Sequence, residues 1–340
     1  MLTIGLLPSP IKIAYYRNRG ARIGHDVSIG FGSVIVADEI EIGEGVTVGF
    51  GAFLRARKVT IRRYARIGSV SFIDAETIMI GEDAKVSEQV FVGGLSSPSS
   101  HFYLGSRTIL MQHTFINVAR PVTIGDDTGI GGKCTIFTHG SWQNELDGYP
   151  VHFAPVNIGS NVWIPWEVFI MPGVDIGDGA TIGAGSLVTK SIPAGALAIG
   201  SPAKVVRTSE AYPISPDHLE RKEMLSQMII EFCEYFEHVG LKVDRSVESD
   251  KEEIAVIDLK DRTYSLLVSY DGLISSSEIR DRNTVLSLTE IDAGARQTMV
   301  NQNTLWLDLH SKERGGKSNP LGEEVVEFLK RFGIRFARTD

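Results

Sequence analysis

Through most of its first two hundred residues this chain repeats an aliphatic side chain every six positions, and that period restricts the fold more than any other feature. The series opens with Ile23, Ile29 and Ile35 and runs on through Ile42, Val48 and Leu54, Ile61, Ile67 and Ile73, then Ile80, Val86 and Val92. It resumes at Leu104, Leu110 and Ile116, at Ile124, Ile130 and Ile136, at Ile158, Ile164 and Ile170, and at Ile176, Ile182 and Val188. Self-similarity of this kind marks a solenoid. Each triplet reads as one triangular coil of three short strands, with one aliphatic residue per face turned inward. Gly24, Gly43, Gly125, Asp126, Gly159, Asn161, Gly177 and Asp178 fall at the predicted corners, where tight turns favour residues tolerant of unusual backbone angles. The fold expected is mainly β: a parallel β-helix of about eight coils, on the order of 40 Å long at the usual strand spacing.

Two interruptions break the count. About five extra residues intrude around Gly93–His101, and roughly fifteen leave the prism between His139 and Pro155. Long insertions in a rigid scaffold are where function concentrates. The second one, the protruding loop 139–155, carries Trp142, Tyr149, His152 and Phe153, an apolar load suited to a neighbouring subunit or a bound ligand.

Bulk composition excludes several classes. A net charge of −8 argues against a general nucleic-acid binder, which needs a basic surface. The two cysteines, Cys134 and Cys233, supply neither a disulfide framework nor a thiolate zinc site. No apolar run reaches the roughly 20 residues of a membrane span. Residues 1–20 are interrupted by Pro8 and Pro10 and lack a small-residue cleavage site, so they read as a leader packed on the end of the core, with membrane-surface contact as the lesser alternative. The cytoplasm is the default compartment.

Residues 21–207 resemble the hexapeptide-repeat acyltransferases, which form left-handed β-helices, and 122–207 resemble their sugar O-acetyltransferase branch, the maltose and galactoside acetyltransferases. The pieces that carry the resemblance are VTIGDD at 122–127, TIFTHGSW at 135–142, NIGSNVWI at 157–164, the stretch 171–195 and GSPAKVVR at 200–207. The resemblance implies a homotrimer that holds acetyl-CoA between two prisms, with no metal, and direct transfer to a saccharide acceptor. The general base it implies is His139. An imidazole, titrating near neutrality, suits removal of a proton from a sugar hydroxyl.

For coenzyme A the resemblance points to Trp163, to the corner Gly183, Ala184, Gly185 and Ser186, and to Thr189, Lys190, Lys204 and Arg207. Small corner residues admit the pantetheine, and the cations meet phosphates. The chain departs from the family at Pro165-Trp166, which replaces a glycine; Trp166 is placed to narrow the groove or to stack on adenine. It departs again at Met111-Gln112-His113-Thr114, in place of an asparagine-rich stretch. His113, Asn117 and Trp142 are the candidate acceptor contacts.

Other readings compete with O-acetylation: N-acetylation of an amino sugar, a catalytically silent scaffold that presents the C-terminal domain, and a metal-dependent hexapeptide enzyme needing three convergent histidines.

After Arg207 the pattern changes. Residues 208–340 predict a small α/β domain of unknown role. A helix runs from Ser215-Pro216 to Gly240; strands are expected at 254–259, 264–270, 284–291 and 304–309, a helix at 321–332 and a short strand at 333–338. Asp258, Lys260, Asp308, His310 and Lys312 sit in or after those strands, either as a site or as the polar positions of a half-exposed sheet.

Overall fold

The computed structural model describes residues 2–95, 97–140, 143–248, 250–260, 262–272, 274 and 276–339. The chain divides into two compact units, Met1–Ile214 and Ser215–Asp340. No described helix is long and apolar enough to cross a membrane.

The first unit is a left-handed parallel β-helix. Its three faces are sheets of eight, ten and eight strands, all parallel except the last strand of the second. On the first face Ile23, Ile42, Ile61, Ile80, Leu104, Ile124, Ile158 and Ile176 stand in one register. Ile35, Leu54, Ile73, Val92, Ile116, Ile136, Ile170 and Val188 do so on the third. Every sixth residue is therefore a neighbour of its counterpart one coil away, as the period predicts. All of these except Ile23 are buried, each stabilising the fold by about 1.5–3 kcal/mol relative to exposure.

Corners recur in the same register. Val70, Gln89, His113, Lys133 and Glu167 all adopt positive φ, between 56° and 63°, at the corner joining the second and third faces. Gly32, Gly51 and Gly185 occupy the corresponding positions with φ of 78°, 64° and 67°. Side chains there pay for a backbone that glycine adopts freely.

The leader closes the first coil. A 3-10 turn, Leu2–Leu6, and an α-helix, Ser9–Asn18, carry side chains that end the exposed strand edge. Ser9 Oγ accepts the Ile29 N–H at 2.9 Å, and the Tyr16 hydroxyl accepts that of Ile35 at 2.9 Å. Lys12 Nζ, buried, donates to the carbonyls of Gly30 at 2.6 Å and Ser33 at 3.1 Å. Arg17 donates to those of Ile23 and Gly24. A solenoid end leaves unpaired backbone groups, and these four residues supply their partners. At the other end Leu197–Ile199 extends the second face, and Lys204–Arg207 returns antiparallel beside it.

A ladder of aromatic rings climbs the outside of the third face. Phe53, Phe72, Phe91 and Phe115 stack with centroids 5.0–5.3 Å apart. Thr135 holds the next place in that column, so the ladder steps sideways to Phe137, at 5.6 Å, and returns to Phe169 at 5.3 Å.

The second unit has one seven-stranded mixed sheet: Lys242–Val247, Lys251–Leu259, Arg262–Ser269, Thr284–Ser287, Leu305–Asp308, Glu313–Gly315 and Ala337–Arg338, in that order across the sheet. Residues alternate between two cores. Leu266, Val268, Leu286, Leu305 and Leu307 pack under the helices His218–His238 and Pro320–Leu329. Leu267, Val285 and Trp306 pack on the opposite side with Ile279, Ala295 and Met299. The first helix starts later than Ser215-Pro216 implies. Asp217 is the N-cap: its carboxylate accepts the Glu220 N–H at 2.9 Å, while the Glu220 carboxylate accepts its own N–H at 2.8 Å. The expected strand 284–291 ends at Ser287, and a helix absent from the sequence reading, Ala293–Asn301, follows.

Candidate functional site

His139 lies where the third strand of the sixth coil leaves the prism. His139–Gly140 pairs antiparallel with His152–Phe153, so the two ends of the protruding loop are tied into a short neck. Trp142 lies outside the described residues. Beyond the neck, Leu146 is 95% exposed, and Tyr149 is also exposed. The loop holds its shape by local bonds: Asn144 caps a turn at Glu145–Asp147, and Gly148 closes it with φ 88°.

The imidazole is held on three sides. Its Nδ1 stands 2.8 Å from Asn117 Oδ1, Phe153 stacks on it at 5.3 Å with an interplanar angle of 18°, and Phe137 meets it edge-on at 6.3 Å. Asn117 is buried on the third strand of the preceding coil, and its Oδ1 also accepts the Ala119 N–H at 3.2 Å and lies 3.0 Å from the Thr138 hydroxyl. An oxygen that takes a backbone N–H is the carbonyl end of the amide. The network therefore assigns the proton of His139 to Nδ1 and leaves the lone pair on Nε2. Glycine makes room for this arrangement: a Cβ on Gly94, where φ is 120°, would lie 2.2 Å from Asn117 Nδ2. The shorter excursion, which begins at Gly93-Gly94, thus supports the residue that orients His139.

Asn117, expected to touch an acceptor, instead turns its amide oxygen to the imidazole. His113 is not brought to it: it is exposed at the second–third corner, whereas His139 sits past the third strand, at the other edge of that face. No group of three histidines forms within the chain among the described residues. The grouping with metal-ligand geometry is His25, Asp26 and Glu44, exposed on the first two coils and remote in sequence from His139.

The residues expected to bind coenzyme A divide between two edges of the third face. Trp166 and Gly183, Ala184, Gly185 and Ser186 lie at the second–third corner, where the Gly185 N–H donates to the Trp166 carbonyl at 3.0 Å. Trp163 projects from the second face in register with Gly129 and Thr181. A Cβ on Gly129 would strike the Trp163 ring at 2.7 Å, and one on Gly132 the Trp166 ring at 2.5 Å, so both indoles lie back along the prism over glycines of the coil before. Ser186 is buried and its Oγ accepts the Gly200 N–H at 3.0 Å, a structural use. Thr189 and Lys190 are exposed past the third strand, on the same edge as His139 but two coils on, and Lys204 and Arg207 are exposed on the return strand. In one chain, His139 and the small-residue corner face different edges.

Neither cysteine is placed as a nucleophile: both are buried, and burial pushes each thiol up to about 11. In the second unit Asp308 is consumed by structure. Its carboxylate is buried and accepts the N–H groups of Ile291, His310 and Ser311 and the Arg296 guanidinium. The side chain of Asp258 lies outside the described residues, and Lys260, His310 and Lys312 are exposed.

Sequence reasoning overlooked Arg120 and the place of Phe153. The guanidinium of Arg120 lies 5.0 Å from the centroid of Phe153, the ring that stacks on His139. The signal available was the register itself, which sets residues 117–120 one coil below 137–139.

Residues 155–190 match the bacterial transferase hexapeptide (six repeats) family. A Schizosaccharomyces pombe protein provisionally named an acetyltransferase is 44% identical over 101 residues, 28% of this chain and 47% of that protein. The galactoside O-acetyltransferase of Escherichia coli K12 is 43% identical over 96 residues, 25% of this chain and 43% of the relative. The chain thus spans less than half the length of either. Among solved structures, a UDP-N-acetylglucosamine acyltransferase from Campylobacter jejuni is 19% identical, with 62% of this chain and 79% of that one covered at a TM-score of 0.46. The match in sequence is thus to the repeat at 155–190, and each coil of the prism forms in the same register as that stretch.

Proposed function

We propose that this protein is an acetyl-CoA-dependent O-acetyltransferase of a saccharide, working in the cytoplasm as a homotrimer. The observation that carries the reading is the 2.8 Å bond between His139 Nδ1 and Asn117 Oδ1, which orients an imidazole at the neck of the long loop and, in the neutral ring, puts the proton on Nδ1 and leaves Nε2 to accept. Such a nitrogen accepts the proton of an acceptor hydroxyl as the oxygen attacks the thioester carbonyl. The tetrahedral oxyanion then collapses, the carbon–sulfur bond breaks, and the proton held on Nε2 passes to the leaving thiolate. The products are an acetyl ester and free coenzyme A, with no covalent enzyme intermediate. Backbone N–H groups of the corner turns are the candidate donors to the oxyanion.

Coenzyme A would lie along the corner Gly183, Ala184 and Gly185 beside Trp166, with Thr189, Lys190, Lys204 and Arg207 toward its polar groups. The corner and His139 face different edges of one prism, which supports a site completed by a neighbouring copy. The exposed Leu146 and Tyr149 of the loop support the same assembly. Trp166, laid over Gly132, adds its bulk along the corner column, the one feature that favours the alternative of a silent scaffold.

Calorimetric titration with acetyl-CoA, paired with thiol release in the presence of a galactoside, tests the reading. Binding and turnover are expected for the native chain, and His139→Ala should lose roughly 10²–10⁴-fold in turnover while still binding acetyl-CoA. Absence of acetyl-CoA binding, or full turnover in the variant, would refute it.

A further inference from the structure

We propose that Arg120 selects the acceptor, and that it selects a saccharide with a carboxylate or phosphate close to the hydroxyl that is acetylated. This rests on the reading of His139 as the base. The guanidinium of Arg120 and the imidazole of His139 rest on one ring, Phe153, at 5.0 and 5.3 Å from its centroid. That ring is anchored by the strand pairing of His139 with Phe153. Arg120 is anchored as well: its backbone N–H donates to Thr138 Oγ1 at 3.0 Å, and Nη1 donates to the Ala119 carbonyl at 3.1 Å. The cation is therefore held on the ring that stacks on His139, by the same residues, Ala119 and Thr138, that hold Asn117.

One bond occupies one of the five N–H donors of a guanidinium. Among the described residues no carboxylate lies within ion-pair distance of Arg120. Its counterparts along the prism differ: Arg22 pairs with Glu41, Arg55 with Asp74, Arg57 with Glu76 and Arg107 with Asp127, each on an adjacent coil. In a chain of net charge −8, an arginine with no acid in ion-pair distance among the described residues, fixed on the ring that stacks on His139, is a site for an anion. Half-burial against an aromatic ring lowers the local dielectric and strengthens that attraction. The planar fork matches a carboxylate or a phosphate with two parallel bonds. A single sugar residue can set its hydroxyl on His139 Nε2 and its acidic group on Arg120. A neutral analogue would leave the guanidinium unmatched.

A purely structural role, a cation–π clamp on the neck of the loop, predicts no preference between acidic and neutral sugars. Modification of His139 by diethyl pyrocarbonate, followed by mass spectrometry of its peptide, separates the two without requiring turnover. Galacturonate and galactose 6-phosphate are compared with galactose at equal concentration. At least one acidic sugar should slow modification of His139 roughly tenfold more than galactose does, as expected of a charge-assisted pair. Arg120→Gln should erase that difference, each protection being measured against the variant's own rate without sugar, and Arg120→Lys should keep part of it. If neither acidic sugar protects better than galactose, or if Arg120→Gln keeps the preference, the proposal is overturned. Failure of His139 as the base is read separately, in the thiol-release assay of His139→Ala.

Discussion

Asn117 and His139, twenty-two positions apart in the chain, meet at 2.8 Å because one coil of the prism separates them. The amide oxygen that receives the imidazole proton is itself fixed by the Ala119 N–H, so the orientation of His139 is set by the backbone of the coil below.

Asn117→Ala should therefore lower kcat by roughly 10–100-fold, the usual effect of removing a group that orients a functional imidazole. KM for acetyl-CoA should barely change, while the stranded Ala119 N–H should cost about 1–3 kcal/mol of stability. Circular dichroism should still show the folded prism, which separates this loss from misfolding. A variant with full kcat would contradict the orienting role of Asn117.

Gly94→Ala offers a second route to the same place. The added Cβ would lie 2.2 Å from Asn117 Nδ2, and the backbone there has a positive φ. Activity should fall as it does for Asn117→Ala, and the loss should not be additive in the double variant. Independent, additive losses would show that Gly94 acts elsewhere.

The leader helix should be integral to the stability of the first unit. Lys12→Met removes the donor to two carbonyls at the end of the solenoid, and each stranded carbonyl costs about 1–3 kcal/mol. A urea titration of residues 1–214 should show a lower midpoint with an unchanged slope. An unaltered midpoint would mean that water replaces the ammonium without penalty.

In the aromatic ladder Phe91 stacks on Phe72 below and on Phe115 above. Phe91→Ala should cost about 1–3 kcal/mol, from two lost ring pairs and the area of a half-exposed side chain. Phe91→Leu should recover the area part only. A Phe91→Leu variant as stable as the native chain would show that stacking adds nothing.

Acid should loosen the second unit through Asp308. Burial works against its charge, but N–H groups of Ile291 and Ser311, the Arg296 guanidinium and the His310 N–H outweigh it and hold the carboxyl below its ordinary range. A folded-state value below the unfolded one means that the contribution is complete above about pH 4, the ordinary carboxylate value, and is lost as pH falls through the lower value. Thermal unfolding of residues 215–340 should show this decline, and Asp308→Asn should flatten it. An unchanged pH dependence in the variant would assign the acid sensitivity to other carboxylates.

Most of the prism could be read from the chain because one rule, an inward aliphatic at every sixth position, fixes face, register and coil count together. Ile80 and Leu104 show its strength, since they pair directly across the extra residues between them. The site was less legible. His139 was marked by its place at the departure of the loop, but its partners were not. Asn117 reaches it across a coil, and Phe153 reaches it through an antiparallel pairing that the repeat cannot encode. Arg120 looked like an ordinary solvated cation next to a proline. In the second unit, Ala293–Asn301 went unread because only Ala295 and Met299 are buried on it, too sparse a stripe to register as a helical period.

The stacked phenylalanines also act as a scale. Each coil adds one ring and advances the axis by about 4.8 Å, so the height of His139 above the capped end changes only in whole steps. Gaining or losing a coil below residue 104 would carry the neck at His139 up or down as an intact block, with its contacts untouched. Evolution can thus lengthen or shorten the reach of such a protein without redesigning what it does at the tip.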